Sequence, residues 1–263
     1  MLIDTHCHLD AHEFAKDHDA VVQAALKAQV SKIIIPSVAT SNFAAVRECC
    51  TAYPSCFPAY GIHPLYVNCA SEQDLVSTRE WLLCELSGAF PPVAVGETGL
   101  DFFVPDIDPA RQEHYFVEQL KIAREFDLPV LLHVRRSIDQ VLKCLRQTPV
   151  RGGIAHAFNG SRQQANEFIK LGFKLGFGGA MTYPRATRIR QLATMLPLES
   201  IVLETDSPDI PPIWLSGVPN RRNSPQELLP IAQTLAELRS LNVAQIIETT
   251  GANALAVIQG LSR

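Results

Sequence analysis

The stretch Leu2-Ile3-Asp4-Thr5-His6-Cys7-His8-Leu9 has the apolar and β-branched composition of a strand. Because alternate residues of a strand point to the same face, we expect His6 and His8 to project together and to bind one ion. Taken alone, this pair is as compatible with a structural role as with metal binding. The interpretation therefore depends on whether the rest of the chain repeats the pattern of a strand that ends in a metal ligand.

Short apolar runs alternate with amphipathic stretches along the whole chain. The predicted strands are 2–9, 32–38, 56–63, 92–98, 129–134, 152–158, 174–180 and 201–206. The predicted helices are 12–29, 41–53, 71–87, 109–127, 137–147, 161–171, 186–196, 225–239 and 244–258. Strands that are apolar on both faces are typical of a parallel sheet covered by helices, and eight such units favour a closed (β/α)₈ barrel, the α/β TIM barrel.

The sequence also indicates how many domains the chain forms. Gly-x-Gly-x-x-Gly does not follow the first strand, which argues against a dinucleotide-binding sheet. No low-complexity linker and no shift in composition divides the sequence. We therefore expect residues 1–263 to form a single TIM-barrel domain of the metal-dependent hydrolase type.

The bulk composition limits the classes of function. The chain is 47% hydrophobic and 19% charged, as in an ordinary globular protein, and its formal net charge of −4 provides no basic field for coating nucleic acid. Seven cysteines without a CxxC pair predict reduced thiols and a cytoplasmic location. With no secretory leader and no long apolar run, we expect no contact with a membrane.

Residues of metal-ligand type recur at the ends of the predicted strands. Because the carboxyl ends of barrel strands meet at one rim, we expect these side chains to face one cavity. Each alone also has a simpler interpretation, as a hydrogen-bonding histidine or as a carboxylate that caps the next helix. Their recurrence favours a metal site, with His63 beside it. The six candidate ligands are His6, His8, Glu97, His133, His156 and Asp206.

Mixed imidazole and carboxylate ligands suit Zn²⁺ or Mn²⁺ better than Ca²⁺. Six ligands exceed what one tetrahedral ion needs, so we expect two divalent ions (Zn, Mn or Mg) bridged by Glu97. The net positive charge of such a site favours an anionic substrate such as a phosphodiester. Four arginines follow the fifth and eighth strands, namely Arg135, Arg136, Arg221 and Arg222. One or two of them are candidates for holding non-scissile phosphates, with Arg135 and Arg222 favoured and solvated loop arginines as the alternative.

The chain resembles the TatD family of metal-dependent hydrolases and deoxyribonucleases through motifs that span residues 4 to 225 in the family's order. These motifs are Asp4-Thr5-His6-Cys7-His8-Leu9-Asp10, Gly61-Ile62-His63-Pro64, Gly96-Glu97-Thr98-Gly99-Leu100-Asp101, Leu132-His133-Val134-Arg135, His156-Ala157-Phe158-Asn159-Gly160, Leu203-Glu204-Thr205-Asp206-Ser207-Pro208 and Arg222-Asn223-Ser224-Pro225. The resemblance implies a (β/α)₈ barrel, the same six metal ligands and His63 in a substrate or supporting role. It also implies hydrolysis of phosphodiester bonds, often as a 3′-to-5′ exonuclease on DNA.

Two departures from the family pattern concern the substrate. Phe102-Phe103 stands where the family usually has a tyrosine pair, which removes a hydroxyl that could contact substrate. His156 is followed by Ala157 and Asn159, where Cys and Ser are common. These changes leave the candidate ligands in place and affect only the expected substrate preference.

The hypothesis assigns a role to each catalytic candidate. Asp206 orients or deprotonates a metal-activated water, Glu97 bridges the ions, and His63 stabilises the reacting oxygens or the leaving group. The expected partner is DNA or another phosphodiester, and the expected state is a monomer without an obligate protein partner.

Two other classes of function stay open at this point. The same centre could serve a small-molecule amide, ester, lactone or phosphoester hydrolase, because fold and ligands do not choose among these substrates. A metal-dependent binding protein without turnover is the other alternative. It is disfavoured because Asp206 is placed for water activation, whereas structural zinc sites are closed by Cys and His ligands.

Overall fold

The computed structural model describes residues 1–219 and 221–262, in which eight strands form one parallel sheet in the order β1 to β8. Successive strands pair in parallel from β1–β2 to β7–β8, as the sequence pattern predicts for a barrel. Their bounds are β1 Leu2–Asp4, β2 Val30–Pro36, β3 Cys56–Tyr60, β4 Ala94–Asp101, β5 Val130–Arg135, β6 Gly153–Ala155, β7 Phe173–Phe177 and β8 Ile201–Leu203.

The barrel closes between β8 and β1 through residues that follow these two strands. Cys7 forms a parallel bridge with Ser207, and the His8 N–H donates to the Ser207 carbonyl at 2.8 Å. We call the paired segments 5–8 and 203–207 the seam. Because the seam carries candidate ligands from both ends of the sequence, barrel closure and site assembly depend on the same hydrogen bonds.

The helices cover the outside of the sheet. Their bounds are α1 His18–Lys27, α2 Phe43–Ala52, α3 Glu72–Glu85, α4 Pro109–Glu125, α5 Ile138–Gln147, α6 Arg162–Lys170, α7 Thr187–Met195, α8 Leu228–Arg239 and α9 Val243–Val257. The predicted single helix over 12–29 is wrong, because a 3₁₀ turn at His12–Phe14 precedes α1. The other predicted helices agree with the structure to within three residues at each end.

The predicted strand bounds need a larger correction at the carboxyl ends. Strand β1 ends at Asp4, so His6 and His8 lie beyond the strand and not on it. The strands predicted over 56–63, 152–158, 174–180 and 201–206 also end three residues early, whereas β4 continues three residues past the end predicted for 92–98. Apolar and β-branched residues continue past the point where the hydrogen-bonded ladder stops, so composition does not mark that point.

Side chains of the strands alternate between the barrel interior and the helices. Ile34 belongs to an interior cluster with Leu131, whereas its neighbours Ile33 and Ile35 pack in the larger cluster that includes the helices. Ile258, directly after α9, packs into the same interior cluster. The bottom of the barrel is therefore filled with apolar side chains, and the polar residues gather at the carboxyl-terminal mouth.

Within the described residues, no helix combines the length and hydrophobicity needed to cross a membrane. The seven cysteines, all inside the described part of the chain, are free thiols, as the sequence predicts. The single-domain organisation over 1–263 stays a prediction.

Candidate metal centre

The pleat of the strands brings the candidate ligands to one mouth of the barrel. His133 lies two residues after the interior residue Leu131, so it points the same way, one layer higher. Glu97 lies three residues after the interior residue Ala94, an odd step that would normally reverse its direction. The pairing of β4 with β5 shifts register between Val95 and Thr98, and this irregularity lets Glu97 face inward too.

Glu97 lies at the centre of the cluster, and its two carboxylate oxygens face different imidazoles. Its Oε2 lies 3.1 Å from Nε2 of His6 and 3.4 Å from Nε2 of His8. Its Oε1 lies 2.9 Å from Nδ1 of His133 and 3.2 Å from Nε2 of His156. One buried carboxylate therefore stands between two pairs of imidazoles, which is the position of a bridging ligand.

Asp206 joins the cluster from the seam. Its Oδ1 lies 3.7 Å from Nε2 of His6 and 3.8 Å from Nε2 of His8. The Asp206 backbone is left-handed, with φ of 53°, and its N–H donates to the His6 carbonyl at 2.8 Å. An uncommon backbone conformation fixed by a hydrogen bond thus directs this carboxylate toward the two histidines.

His63 reaches the same centre, as the sequence predicts. Its Nε2 lies 3.4 Å from Oε1 of Glu97 and 3.0 Å from Nδ1 of His133. Its Nδ1 accepts a hydrogen bond from the Leu65 N–H, which leaves Nε2 to face the cluster. His63 is therefore close enough to bind an ion as well as to act beside it.

Three sets of ligand atoms lie within 4.8 Å of one another in the described part of the chain. The sets are His6 with His8 and Glu97, His6 with His156 and Asp206, and His63 with Glu97 and His133. All six predicted ligands and His63 therefore meet in one cluster.

The charges of the cluster suit cation binding. Burial alone would raise the pKa of Glu97, but the imidazoles of His63, His6 and His156 hold that pKa well below its usual range. Burial lowers the pKa of His6 to about 3, so its ring is neutral and has a lone pair for a metal. Burial opposes charge on His8 and His156 too, yet Glu97 raises their pKa values to about 9 and about 10.

The close contacts between imidazole rings also fit a metal ion held among them. Besides the short contact between the His63 and His133 nitrogens, the rings of His6 and His156 stack with centroids 4.0 Å apart. Ligand atoms about 3.0–3.4 Å apart match the edges of a coordination shell with bonds of about 2.1 Å. A set of imidazoles and carboxylates suits Zn²⁺, Mn²⁺ or Fe²⁺.

Asp101 supports the cluster, although its place in the sequence predicts no role for it. Its Oδ2 lies 3.0 Å from Nε2 of His133, and its Oδ1 accepts the N–H of Phe103 at 2.8 Å. Burial would raise the pKa of Asp101, but these hydrogen bonds lower it to about 2. A carboxylate behind a metal-binding imidazole fixes the ring orientation and its tautomer. The signal was present as the last residue of the Gly96–Asp101 motif.

Glu204 is a second buried carboxylate without an assigned role. Its Oε1 accepts the Ala157 N–H at 2.5 Å and lies 3.8 Å from Nδ1 of His156, while its Oε2 has no hydrogen-bond partner within the described residues. A Cβ at position 176 would lie 2.0 Å from this Oε2, so Gly176 leaves the space that Glu204 occupies. Glu204 therefore lies buried beside the Nδ1 edge of His156.

Asp4 is a third such carboxylate, and it holds the seam. Its Oδ1 accepts the Thr205 N–H at 2.9 Å and its Oδ2 accepts the Thr205 hydroxyl at 2.6 Å. The same Oδ1 accepts the His6 N–H at 3.3 Å. Asp4 thus fixes one ligand directly and the segment that carries Asp206.

The two predicted phosphate-binding arginines lie in different surroundings. Arg135 ends β5 with its side chain 51% exposed and its Nη1 3.9 Å from Oδ2 of Asp101. Arg222 donates to both Asp17 carboxylate oxygens, at 2.9 and 3.1 Å, and to the Glu13 carbonyl. The two Nη groups of Arg222 are thus engaged with the segment before α1, whereas the guanidinium of Arg135 is half exposed at the end of β5.

An eight-stranded parallel barrel with a His, Glu and Asp cluster at its carboxyl-terminal mouth defines a class, the barrel-fold metal-dependent hydrolases. The family model described as TatD related DNase matches residues 3–259. The chain therefore belongs to the TatD family and is a metal-dependent hydrolase, which confirms the family expected from the motifs.

Individual relatives agree with this assignment. The chain is 42% identical over 238 residues to YjjV of Escherichia coli K12, an uncharacterized metal-dependent hydrolase, with 90% of each chain covered. The crystal structure of YjjV matches with a TM-score of 0.92 at 38% identity and covers 98% of each chain. The chain is also 32% identical over 256 residues, 96% of each chain, to the 3′-5′ ssDNA/RNA exonuclease TatD of Shigella flexneri serotype 5b.

Proposed function

We propose that this protein hydrolyses phosphodiester bonds and acts on DNA as a metal-dependent 3′-to-5′ exonuclease. The observation that carries the proposal is the position of Glu97, whose two oxygens face separate pairs of imidazoles. This arrangement suits two divalent ions bridged by one carboxylate, as found in nucleases and phosphatases. The similarity to an exonuclease named for ssDNA and RNA supports the choice of substrate.

The proposed ligands divide between two ions of Zn, Mn or Mg. His6, His8 and Asp206 would hold one ion together with Glu97, and His133 and His156 would hold the other with the same carboxylate. When bound, such ions lower the pKa of a water molecule and polarise a phosphoryl oxygen. The buried mouth of the barrel keeps bulk water away from this chemistry and strengthens each electrostatic contact.

Three side chains of this chain act on the substrate in the proposal. Burial raises the pKa of Asp206 despite the nearby His156 and His8, so its carboxylate is suited to take a proton from the attacking water. His63 lies on the opposite oxygen of Glu97 and stabilises the reacting phosphoryl oxygens. Arg135 holds a flanking phosphate from the rim.

Other parts of the proposal rest on the sequence. Arg222 holds a more distant phosphate only if it gives up its bonds to Asp17. The substrate is DNA or another phosphodiester, the protein acts as a monomer without an obligate partner, and it works in the cytoplasm. These stay predictions.

The test is hydrolysis of a 5′-labelled single-stranded DNA by protein treated with EDTA and then supplied with Mg²⁺, Mn²⁺ or Zn²⁺. We expect a ladder that shortens from the 3′ end only when metal is added. Glu97→Gln should abolish it, whereas Glu118→Gln, which removes only a surface pair with Lys121, should not. If no ion supports cleavage, but an ester or amide is hydrolysed, the nuclease proposal is wrong.

A further inference from the structure

Phe103 is an exposed aromatic side chain on the rim, two residues after the end of β4. It is 44% exposed, whereas the preceding Phe102 packs against the hydrophobic core. Two guanidinium groups lie against its ring, that of Arg135 at 3.8 Å from the centroid and that of Arg136 at 4.5 Å. An exposed phenylalanine that contacts two guanidinium groups orients those groups by stacking and does not fill the core.

The backbone at the end of β5 brings both arginines to one ring. Consecutive side chains of a strand point to opposite faces, so Arg135 and Arg136 would normally diverge. Arg136 instead has a left-handed backbone with φ of 55°, which is uncommon for this residue type. This turn lets two adjacent guanidinium groups contact Phe103 together, an arrangement that strands do not produce by default.

Stacking on an aromatic ring orients a guanidinium group without using its N–H donors. Within the described residues, the guanidinium of Arg136 has no hydrogen bond or ion pair, and that of Arg135 has only the 3.9 Å contact with Asp101. The donors of both groups are therefore available to an anion. Arg222 also stacks on an aromatic ring, with its guanidinium 4.1 Å from the Phe14 centroid, but its two Nη groups already donate to Asp17 and to the Glu13 carbonyl.

A chain of contacts links this pair to the metal centre. Oδ2 of Asp101 lies 3.9 Å from Arg135 and 3.0 Å from Nε2 of His133, whose Nδ1 lies 2.9 Å from Glu97. Oδ1 of Asp101 accepts the Phe103 N–H. One carboxylate thus contacts both a candidate metal ligand and the aromatic support, so an anion held by the two arginines would lie near the cluster.

We propose that Arg135 and Arg136, stacked on Phe103, form a binding site for a second phosphate next to the scissile one. Phe103 is a positioning residue that acts through the two arginines. This inference rests on the proposed function and narrows its substrate to chains with at least two phosphates, such as oligonucleotides. Substrates with a single phosphate leave the site unused.

The experiment compares a 5′-labelled oligonucleotide with bis(4-nitrophenyl) phosphate, which has only one phosphate, using the metal-loaded enzyme. Arg136→Gln should raise KM for the oligonucleotide about tenfold with little change in kcat, as for the loss of one charge-assisted contact made equally in ground and transition states. It should leave hydrolysis of the small diester unchanged. Arg146→Gln is the matched control, because Arg146 is 50% exposed but pairs with Glu167 on the outer helices.

Variants of the ring test its positioning role. Phe103→Tyr keeps the aromatic face and should behave as the wild type, whereas Phe103→Leu keeps apolar bulk and should raise KM for the oligonucleotide about threefold to fivefold. A loss shared by both variants, or a loss on the small diester as well, would overturn this role.

Oligonucleotide binding at several salt concentrations separates this inference from the proposed function. The plot of log Kd against log salt should lose about 0.7 of its slope in Arg136→Gln, the value for one single-strand phosphate contact. An unchanged slope and KM, with the oligonucleotide still hydrolysed, would overturn the second phosphate site and leave the nuclease. A slope that falls as expected for an oligonucleotide that is bound but never hydrolysed would support the site and overturn the nuclease.

Discussion

The two sides of Glu97 hold their candidate ligands by different means. On the β4–β5 side, His133 stands on a regular strand, and its ring is oriented by the Asp101 carboxylate. On the seam side, His6 and Asp206 follow the strands and are positioned by backbone hydrogen bonds between the two segments.

A ligand on a strand and a ligand in a loop therefore depend on different contacts for their position. The strand already fixes the backbone of His133, so only its ring orientation depends on another side chain. The seam ligands depend on how well two loops are joined, which Asp4 secures through Thr205. Substitutions can therefore disturb one side of the centre without the other.

We expect the largest effect at Glu97, because this residue contacts imidazoles on both sides of the cluster. Glu97→Gln leaves four imidazoles without their shared carboxylate, and breaking such a buried pair costs about 3–5 kcal/mol. We expect metal affinity to fall by about two to three orders of magnitude for both ions, measured by competition with a chelating dye. Retention of one tight site in the variant would contradict the bridging position.

The second-largest expected effect is the release of protons when metal binds, and it should involve both sides of the cluster. In the metal-free protein, His8 on the seam side has a pKa of about 9 and His156 on the other side has one of about 10. Both rings carry protons at pH 7, and a metal must displace them. Metal affinity should therefore rise with pH, by up to about tenfold per pH unit for each proton released.

Calorimetric titration in buffers of different ionisation enthalpy measures these protons directly. We expect up to about two protons released at pH 7 when both ions bind, and fewer as the pH approaches 9 to 10. Binding without proton release at pH 7 would show that the two imidazoles are already neutral.

Asp101→Asn tests the β4–β5 side of the cluster separately from the seam side. The variant keeps the shape of the side chain but loses the charge that orients His133, so metal affinity on that side should fall about 10–100-fold. The seam site should keep its affinity, as measured by two-site calorimetric titration. Asp127→Asn, at an exposed carboxylate paired with Arg151, is the control. Equal losses at both sites would show that the two sides are not independent.

The smallest effect is expected at the seam. Thr205→Val removes the hydroxyl that donates to Asp4, which should lower the free energy of unfolding by about 1–2 kcal/mol. Urea unfolding of the EDTA-treated protein measures this change. Thr205→Ser keeps the hydroxyl and should lose less. The prediction would be wrong if Thr205→Val lowered metal affinity more than Asp101→Asn does.

The same contrast explains what could be predicted from the sequence. Strand and helix periodicity, together with the recurrence of His, Glu and Asp, predicted the barrel and brought the six candidate ligands to one mouth. His6 and His8 lie together as expected, but the expected reason, alternation along a strand, was wrong. Strand β1 ends at Asp4, and the seam positions both rings.

Hydrogen-bond partners that are far apart in the chain could not be predicted from the sequence. The carboxylate of Asp101 and that of Asp4 occurred in the quoted motifs, but their partners come from other strands, and periodicity does not reveal such pairs. Arg222 shows the same limit, since its guanidinium binds Asp17, which lies 205 positions earlier. The helix predicted over 12–29 gave no sign that this segment would hold an arginine.

The seam also has a consequence for the newly made protein. Thr5 bonds to Leu203, 198 positions later, so the two halves of the seam leave the ribosome about 10–40 s apart at a synthesis rate of about 5–20 residues per second. During that interval His6 and His8 lack the segment that carries Asp206. Assembly of the whole centre must therefore follow the synthesis of residue 207, because until then the chain lacks Asp206 and the partners that fix His6 and His8.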